Sequence, residues 1–243
     1  MLDLDGTVYR GNTLIEGSVE AIENMRSHGI KVFFCTNNSS KMPENISKKL
    51  NNLGIKCDNN DILSSGHMAI RYVKENQLKN VYISGTKELK IGFLDAGIKT
   101  CGANESETMV IAMDPNFDYV KLTEGVRAAI NAKTIIVCNE DRCFEKEDGI
   151  YPGNGAMTSS ILYCSNRKPN VVIGKPNSIM LDYVMRQYGY SKEEIIVIGD
   201  SIDSDGQMAN KIGCNFILVG KRGDYYHEIV SLKDTIEWNW SSL

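Results

Sequence analysis

Short apolar runs alternate along the 243 residues with segments that read as helices, and this alternation restricts the fold more than any other feature. Residues 30–35, 62–63, 81–83, 108–112, 134–138, 171–173, 195–198 and 216–219 read as strands. Between them, 17–28, 43–53, 68–75, 87–96, 119–132, 156–164, 178–188 and 205–212 read as helices, Gly29 and Gly54 closing two of them and Pro43 opening one. A strand that is followed by a helix returns parallel to its predecessor. The pattern therefore predicts an α/β fold with a doubly wound parallel sheet covered on both faces. No repeat, low-complexity tract or linker-like composition divides the chain, so a second domain is expected as an insertion with hinges near Lys79 and Gly174.

Two acids stand at the start. In Asp3-Leu4-Asp5-Gly6-Thr7 the carboxylates are two residues apart, which in an extended segment puts them on one face at a strand end. Such a pair suits magnesium-assisted phosphoryl transfer, one carboxylate attacking phosphorus and the other carrying the proton of the leaving oxygen. An acidic turn closing a hairpin is the plainer reading of Asp-Gly. Three later segments weigh in favour of chemistry.

Thr36-Asn37-Asn38 follows the second strand and offers a hydroxyl and backbone N–H groups to an anion. Gly174-Lys175-Pro176 puts an ammonium at the end of another apolar run; Pro169 and Pro176 stand where a P-loop needs glycine and a hydroxyl residue. The strand 195–198 delivers Gly199-Asp200 and, five residues on, Asp205, an acid spacing suited to a hard divalent cation. A calcium loop is excluded, because Ser201 and Ile212 fall at its first and last ligand positions. Capping of the next helix by Asp203 or Ser204 is compatible with metal at Asp200. In doubly wound sheets ligands sit outside the carboxyl ends of strands, and these four segments all follow strands.

Composition narrows the partners. A net charge of -4 gives no reason to expect nucleic acid or an anionic membrane, so a phosphorylated small molecule must be held by a local positive site. No apolar run approaches the ~18 residues of a membrane span and no basic-then-apolar leader opens the chain; a cytoplasmic protein is expected. Seven scattered cysteines without a C-x-x-C pair read as reduced thiols, and His28, His67 and His227 are assigned no role.

The four segments, in this order, resemble the four motifs of the haloacid dehalogenase superfamily. The stretch between them is similar to the large α/β cap of its NagD-like, nitrophenyl-phosphatase-like branch, at Tyr82-Ile83-Ser84-Gly85, Asn139-Glu140-Asp141 and 149–156. The resemblance implies a Rossmann-type core at 1–78 and 174–243 with a cap domain inserted at 79–173. It implies Asp3 as nucleophile forming an aspartyl-phosphate, and Asp5 as the acid that protonates the leaving oxygen and then activates water. Mg2+ would be held by the Asp3 carboxylate, the Asp5 carbonyl and Asp200, with Asp205 orienting a bound water; Thr36, Asn37 and Lys175 would clamp the phosphoryl oxygens. The loop of Asn139, Asp141 and Arg142 would face substrate, Arg142 pairing with an acid or second phosphate or else simply solvated. Relatives often dimerise through the cap, so a homodimer is expected by resemblance.

The expected activity is Mg-dependent hydrolysis of a small-metabolite phosphomonoester, such as a sugar phosphate, nucleotide or phosphoglycolate. Alternatives are a phosphotransferase or mutase, and a catalytically retired ligand-binding regulator; the latter should have lost Asp3 or Lys175. Three departures from the family pattern stand out. Only Met1 and Leu2 precede Asp3, which predicts either a start further upstream or a stunted central strand. Gly206 stands where an isoleucine is usual, and Arg142-Cys143-Phe144-Glu145-Lys146 replaces a proline-containing stretch.

Overall fold

A computed structural model describes residues 1–146, 148–220, 228–229 and 231–240, with the side chains of Lys146 and Glu228 excepted. His227 lies outside the described residues. The chain forms two compact units, one of Met1–Thr36, Pro43–Leu63 and Lys175–Leu243, the other of Asn37–Met42 and Ser64–Gly174.

The first unit is built on a six-stranded sheet in the order Glu228–Ile229, Asn215–Val219, Ile196–Gly199, Leu2–Asp3, Phe34–Thr36, Ile62–Ser64. The strand Leu2–Asp3 lies in its interior, parallel to both neighbours, with Leu2 opposite Ile198 and Phe34. From there the order runs to Phe34–Thr36 on one side and to Ile196–Gly199 on the other. The topological switch point, where doubly wound sheets bind ligands, thus falls between the strands that deliver Asp3 and Asp200. Leu2, Leu4, Ile22, Phe34, Leu50, Ile62 and Ile198 are buried in one cluster, uniting the sheet with the helices Ser18–Ser27 and Pro43–Asn52. Near-continuous apolar runs form these strands because a parallel strand covered by helices has no solvent face.

Sequence boundaries shift where ladder partners are missing. The strand expected at 30–35 is paired only over Phe34–Thr36, because its neighbour Leu2–Asp3 offers two residues. Two hairpins join the expected elements: Tyr9–Arg10 with Thr13–Leu14, and Cys143–Lys146 with Gly149–Pro152. The helix expected at 205–212 begins as a π-turn, Ile202–Gly206, before Gln207–Ile212, and Ser201 rather than Asp203 or Ser204 caps it, its Oγ accepting from Ser204 N at 3.2 Å.

The second unit has its own parallel sheet, ordered Val171–Val172, Thr134–Val137, Thr108–Ile111, Val81–Ser84. Its helices Tyr119–Asn131 and Asn154–Ser165 bury Ala128, Ala129 and Ile161 against Met109, Ile111, Ile135 and Val137. Helix Ser65–Glu75 belongs here too, with Gly66 so close to Ser39 that a Cβ would meet its carbonyl oxygen at 2.9 Å. Of the four strands that precede candidate site residues, Val171–Val172 therefore lies in the second sheet and the others in the first. Among the described residues no helix is long and apolar enough to cross a membrane.

Candidate active site

Asp3 ends its strand with only 7% of its surface exposed, and each carboxylate oxygen is bonded. Lys175 Nζ donates to Asp3 Oδ1 at 2.5 Å, and Thr7 Oγ1 donates to Oδ2 at 3.2 Å. The same ammonium donates to Asp205 Oδ1 at 2.8 Å and to the Cys35 carbonyl at 3.4 Å. Burial by itself would lower the pKa of Lys175. The Asp205 and Asp3 carboxylates outweigh burial and raise its pKa well above the ordinary lysine value. Lys175 is a fixed cation at neutral pH.

Asp205 is carried inward by the π-turn, where its N–H bonds the Ser201 carbonyl at 2.8 Å; π-turns of this kind recur at functional sites. Burial lifts its carboxyl, and the Lys175 charge opposes that lift. Carboxylate oxygens of Asp3, Asp200 and Asp205 lie within 4.8 Å of one another. Three hard oxygen donors against one ammonium leave an excess of negative charge, a donor set that fits Mg2+. Gly6 completes the fit. Its φ of +90° suits glycine, and a Cβ there would fall on Asp200 Oδ2, so the turn after Asp5 leaves room for that carboxylate.

Asp5 has a different setting. Leu4 between the two acids is fully buried, whereas the Asp5 side chain reaches solvent at a turn closed by the Gly6 N–H to Tyr9 carbonyl bond of 2.8 Å. The surrounding protein mass, and then the Asp3 charge, push its carboxyl up to about 6. Thr36 is buried and ends the strand paired with that of Asp3, one residue beyond the Asp3–Cys35 pair.

The structure thus gathers Asp3, Asp5, Thr36, Lys175, Asp200 and Asp205 in the first unit. Asn37, Asn139, Asp141 and Arg142 belong to the second. There the Asn37 side-chain amide donates to Asp141 Oδ1 at 2.9 Å, Asn139 is buried with its amide donating to the Asn37 carbonyl at 2.7 Å, and Arg142 is exposed. Sequence reasoning did not single out Thr7, although a hydroxyl four residues after Asp3 and just past a glycine was a readable signal. Ser65, whose hydroxyl donates to the Asn37 carbonyl at 2.6 Å, carries no such signal.

Residues 1–99 match the haloacid dehalogenase-like hydrolase family, and residues 172–232 match a second model of HAD-like hydrolases. Sugar-phosphatase AraL of Bacillus subtilis (strain 168) is 34% identical over 90% of this chain and 81% of its own length. An acid sugar phosphatase of Staphylococcus epidermidis is 31% identical over 95% of this chain and 89% of its own. Among solved structures, a p-nitrophenyl phosphatase from Archaeoglobus fulgidus superposes with a TM-score of 0.90 at 26% identity, covering 98% of this chain and 97% of that one. The chain belongs to the haloacid dehalogenase-like hydrolase family. Within it, the protein is a phosphatase.

Proposed function

We propose that this phosphatase is magnesium-dependent and hydrolyses a phosphomonoester of a small metabolite through an aspartyl-phosphate on Asp3. An Asp3 oxygen attacks phosphorus as the ester P–O bond breaks, and the Asp5 carboxyl gives its proton to the departing oxygen. Water then attacks the acyl-phosphate with Asp5 as base, releasing phosphate and restoring both carboxylates to their starting states. Lys175 and Thr36 hold the phosphoryl oxygens. Asp3, Asp200 and Asp205 are the carboxylates available to Mg2+, with the Asp5 carbonyl beside them. When bound there, the ion would offset the charge of carboxylates and phosphoryl group brought together.

The observation that carries this reading is the Lys175 ammonium fixed between Asp3 and Asp205, with the Asp200 carboxylate beside them. Such a site has one group to attack, one cation to hold an anion and an unbalanced set of oxygens. Phosphoryl transfer needs little beyond that alignment and charge compensation. Sugar phosphates are the first substrates to test, since AraL and the staphylococcal relative are named as sugar phosphatases. The experiment is a phosphate-release screen over sugar phosphates, nucleotides and phosphoglycolate, with Mg2+ and with EDTA, using Asp3→Asn as control. Release that persists in Asp3→Asn, or is indifferent to EDTA, overturns the proposal.

A further inference from the structure

Both residues assigned above to the phosphoryl clamp adjoin a point where the chain passes from one compact unit to the other: Thr36 precedes Asn37, and Lys175 follows Gly174. Their covalent neighbours meet. A Cβ on Gly174 would fall on Asn37 Oδ1 and come within 2.7 Å of the Cys138 carbonyl and 3.0 Å of Asn139 Cβ. The Gly174 N–H donates to that Cys138 carbonyl at 2.8 Å. Asn139, 3% exposed, donates through Nδ2 to the Asn37 carbonyl at 2.7 Å. Its own carbonyl accepts from Asn154 Nδ2 at 2.7 Å, which ties it to the start of the helix Asn154–Ser165.

The loop that Asn139 grips is held at several other points. Ser65 Oγ donates to the same Asn37 carbonyl at 2.6 Å, Ser39 Oγ accepts from Met113 N at 2.9 Å, and Thr86 Oγ1 donates to the Ser40 carbonyl at 3.0 Å. All these contacts lie inside the second unit. The Asn139 side chain reaches both the peptide after Thr36 and the glycine before Lys175.

We propose that Asn139 is a positioning residue for the phosphoryl clamp: by fixing the Asn37 carbonyl beside Gly174 it sets the placement of Thr36 and Lys175. This rests on the clamp assigned under the proposed function. It differs from a role in choosing substrates, which the resemblance attaches to the loop of Asn139. A buried amide whose nitrogen donates to the Asn37 carbonyl and to Ser39 Oγ, and whose oxygen accepts from Asp141 N, has little to offer a leaving group, whereas a shift of the order of 1 Å in a clamp costs up to about 100-fold in rate.

Inorganic phosphate separates the two roles, because it occupies the clamp and has no leaving group. Competitive inhibition by phosphate is measured for the wild-type chain, Asn139→Ala and Ser65→Ala, together with kcat and KM on two esters of different alcohols. Asn139→Ala is expected to weaken phosphate inhibition about tenfold and to lower kcat/KM by a similar factor on both esters. Ser65→Ala, which removes a second donor to the same carbonyl, should act in the same direction by a smaller factor, and it carries the test should Asn139→Ala not fold. Unchanged phosphate inhibition in both variants, or a kcat/KM loss confined to one ester, overturns the inference. A wild-type chain that hydrolyses esters but is not inhibited by phosphate also overturns it. A wild-type chain with no phosphatase activity defeats the proposed function instead.

Discussion

Replacing Lys175 by methionine should unbalance the first unit more than any other single change at the site. Methionine keeps much of the unbranched stem, so packing is largely preserved and the charge is what is lost. The ammonium is 4% exposed and bonded to Asp3 at 2.5 Å and Asp205 at 2.8 Å, themselves 7% and 2% exposed. Removing one partner of a buried pair costs about 3–5 kcal/mol, because the remaining charge has no compensation. Here two carboxylates are left, and the upper part of that range applies. Against a whole-domain stability of about 5–15 kcal/mol, the loss is large but measurable.

The pH dependence gives the sharper test. With Lys175 gone, nothing opposes the burial that already lifts Asp205, and Asp3 loses its cation. The Asp205 carboxyl, which burial already raises, then lies further above its unfolded value of about 4. A group raised in this way binds more protons folded than unfolded, so its stability falls as pH rises from the unfolded to the folded pKa. The deficit of Lys175→Met should be smallest near pH 5 and greatest by pH 8. Urea unfolding in EDTA at both pH values measures it. A second change, Asp205→Asn, should recover about 1–2 kcal/mol at pH 8 by removing one stranded charge. A deficit under about 1 kcal/mol at pH 8, or one that grows toward pH 5, would refute the electrostatic account.

Other perturbations address the acid, the cation and the thiols. Asp5→Ala should lower kcat/KM for alkyl phosphates by at least about 100-fold, yet affect kcat/KM for p-nitrophenyl phosphate far less, since nitrophenolate departs without a proton; kcat/KM excludes the later water step in which Asp5 is proposed as base, so equal losses on both esters would remove Asp5 from the acid role. Mg2+ at about 100 times its dissociation constant should stabilise the chain by about 2.7 kcal/mol, read as a rise in Tm, and Asp200→Asn should abolish most of that rise. Gly6→Ala, whose Cβ would displace the Asp200 carboxylate, should blunt the same rise. In native protein at pH 8, exposed Cys143 and Cys164 should react with a disulfide reagent well before Cys35, whose thiol burial pushes up to about 12, leaving a thiolate fraction of the order of 10⁻⁴. Labelling of Cys35 at the rate of Cys143 would contradict its environment.

Much of this was legible because buried parallel strands write themselves as unbroken apolar runs. What escaped was structure without an apolar face. The hairpin of Cys143–Lys146 and Gly149–Pro152 mixes exposed Phe144 and Ile150 with charged residues, so neither a helical nor an alternating period shows. The hairpin of Tyr9–Arg10 and Thr13–Leu14 did carry a signal, the Gly11-Asn12 pair at its turn. At the site, acids and a lysine following strands were readable one motif at a time. The sheet to which each strand belonged was not: Val171–Val172 pairs with Thr134–Val137, although the lysine it leads to bonds Asp3. Arg142, attractive as a cation beside a polar loop, is an exposed side chain; local sequence does not encode burial.

The spacing of Asp3 and Asp5 acquires its meaning only in the folded chain. On an ideal strand the two would share one environment. Instead Leu4 turns into the core, the ladder stops at Asp3, and the positive φ of Gly6 bends the chain so that Asp5 stands at the edge of a tight turn. One acid is then gripped by an ammonium and a hydroxyl, while the other is lifted toward neutrality by surrounding protein and its neighbour's charge. Two carboxyl groups whose environments draw them apart are what an acid and a nucleophile require. Here that separation arises from one glycine, one buried leucine and a lysine 172 positions away.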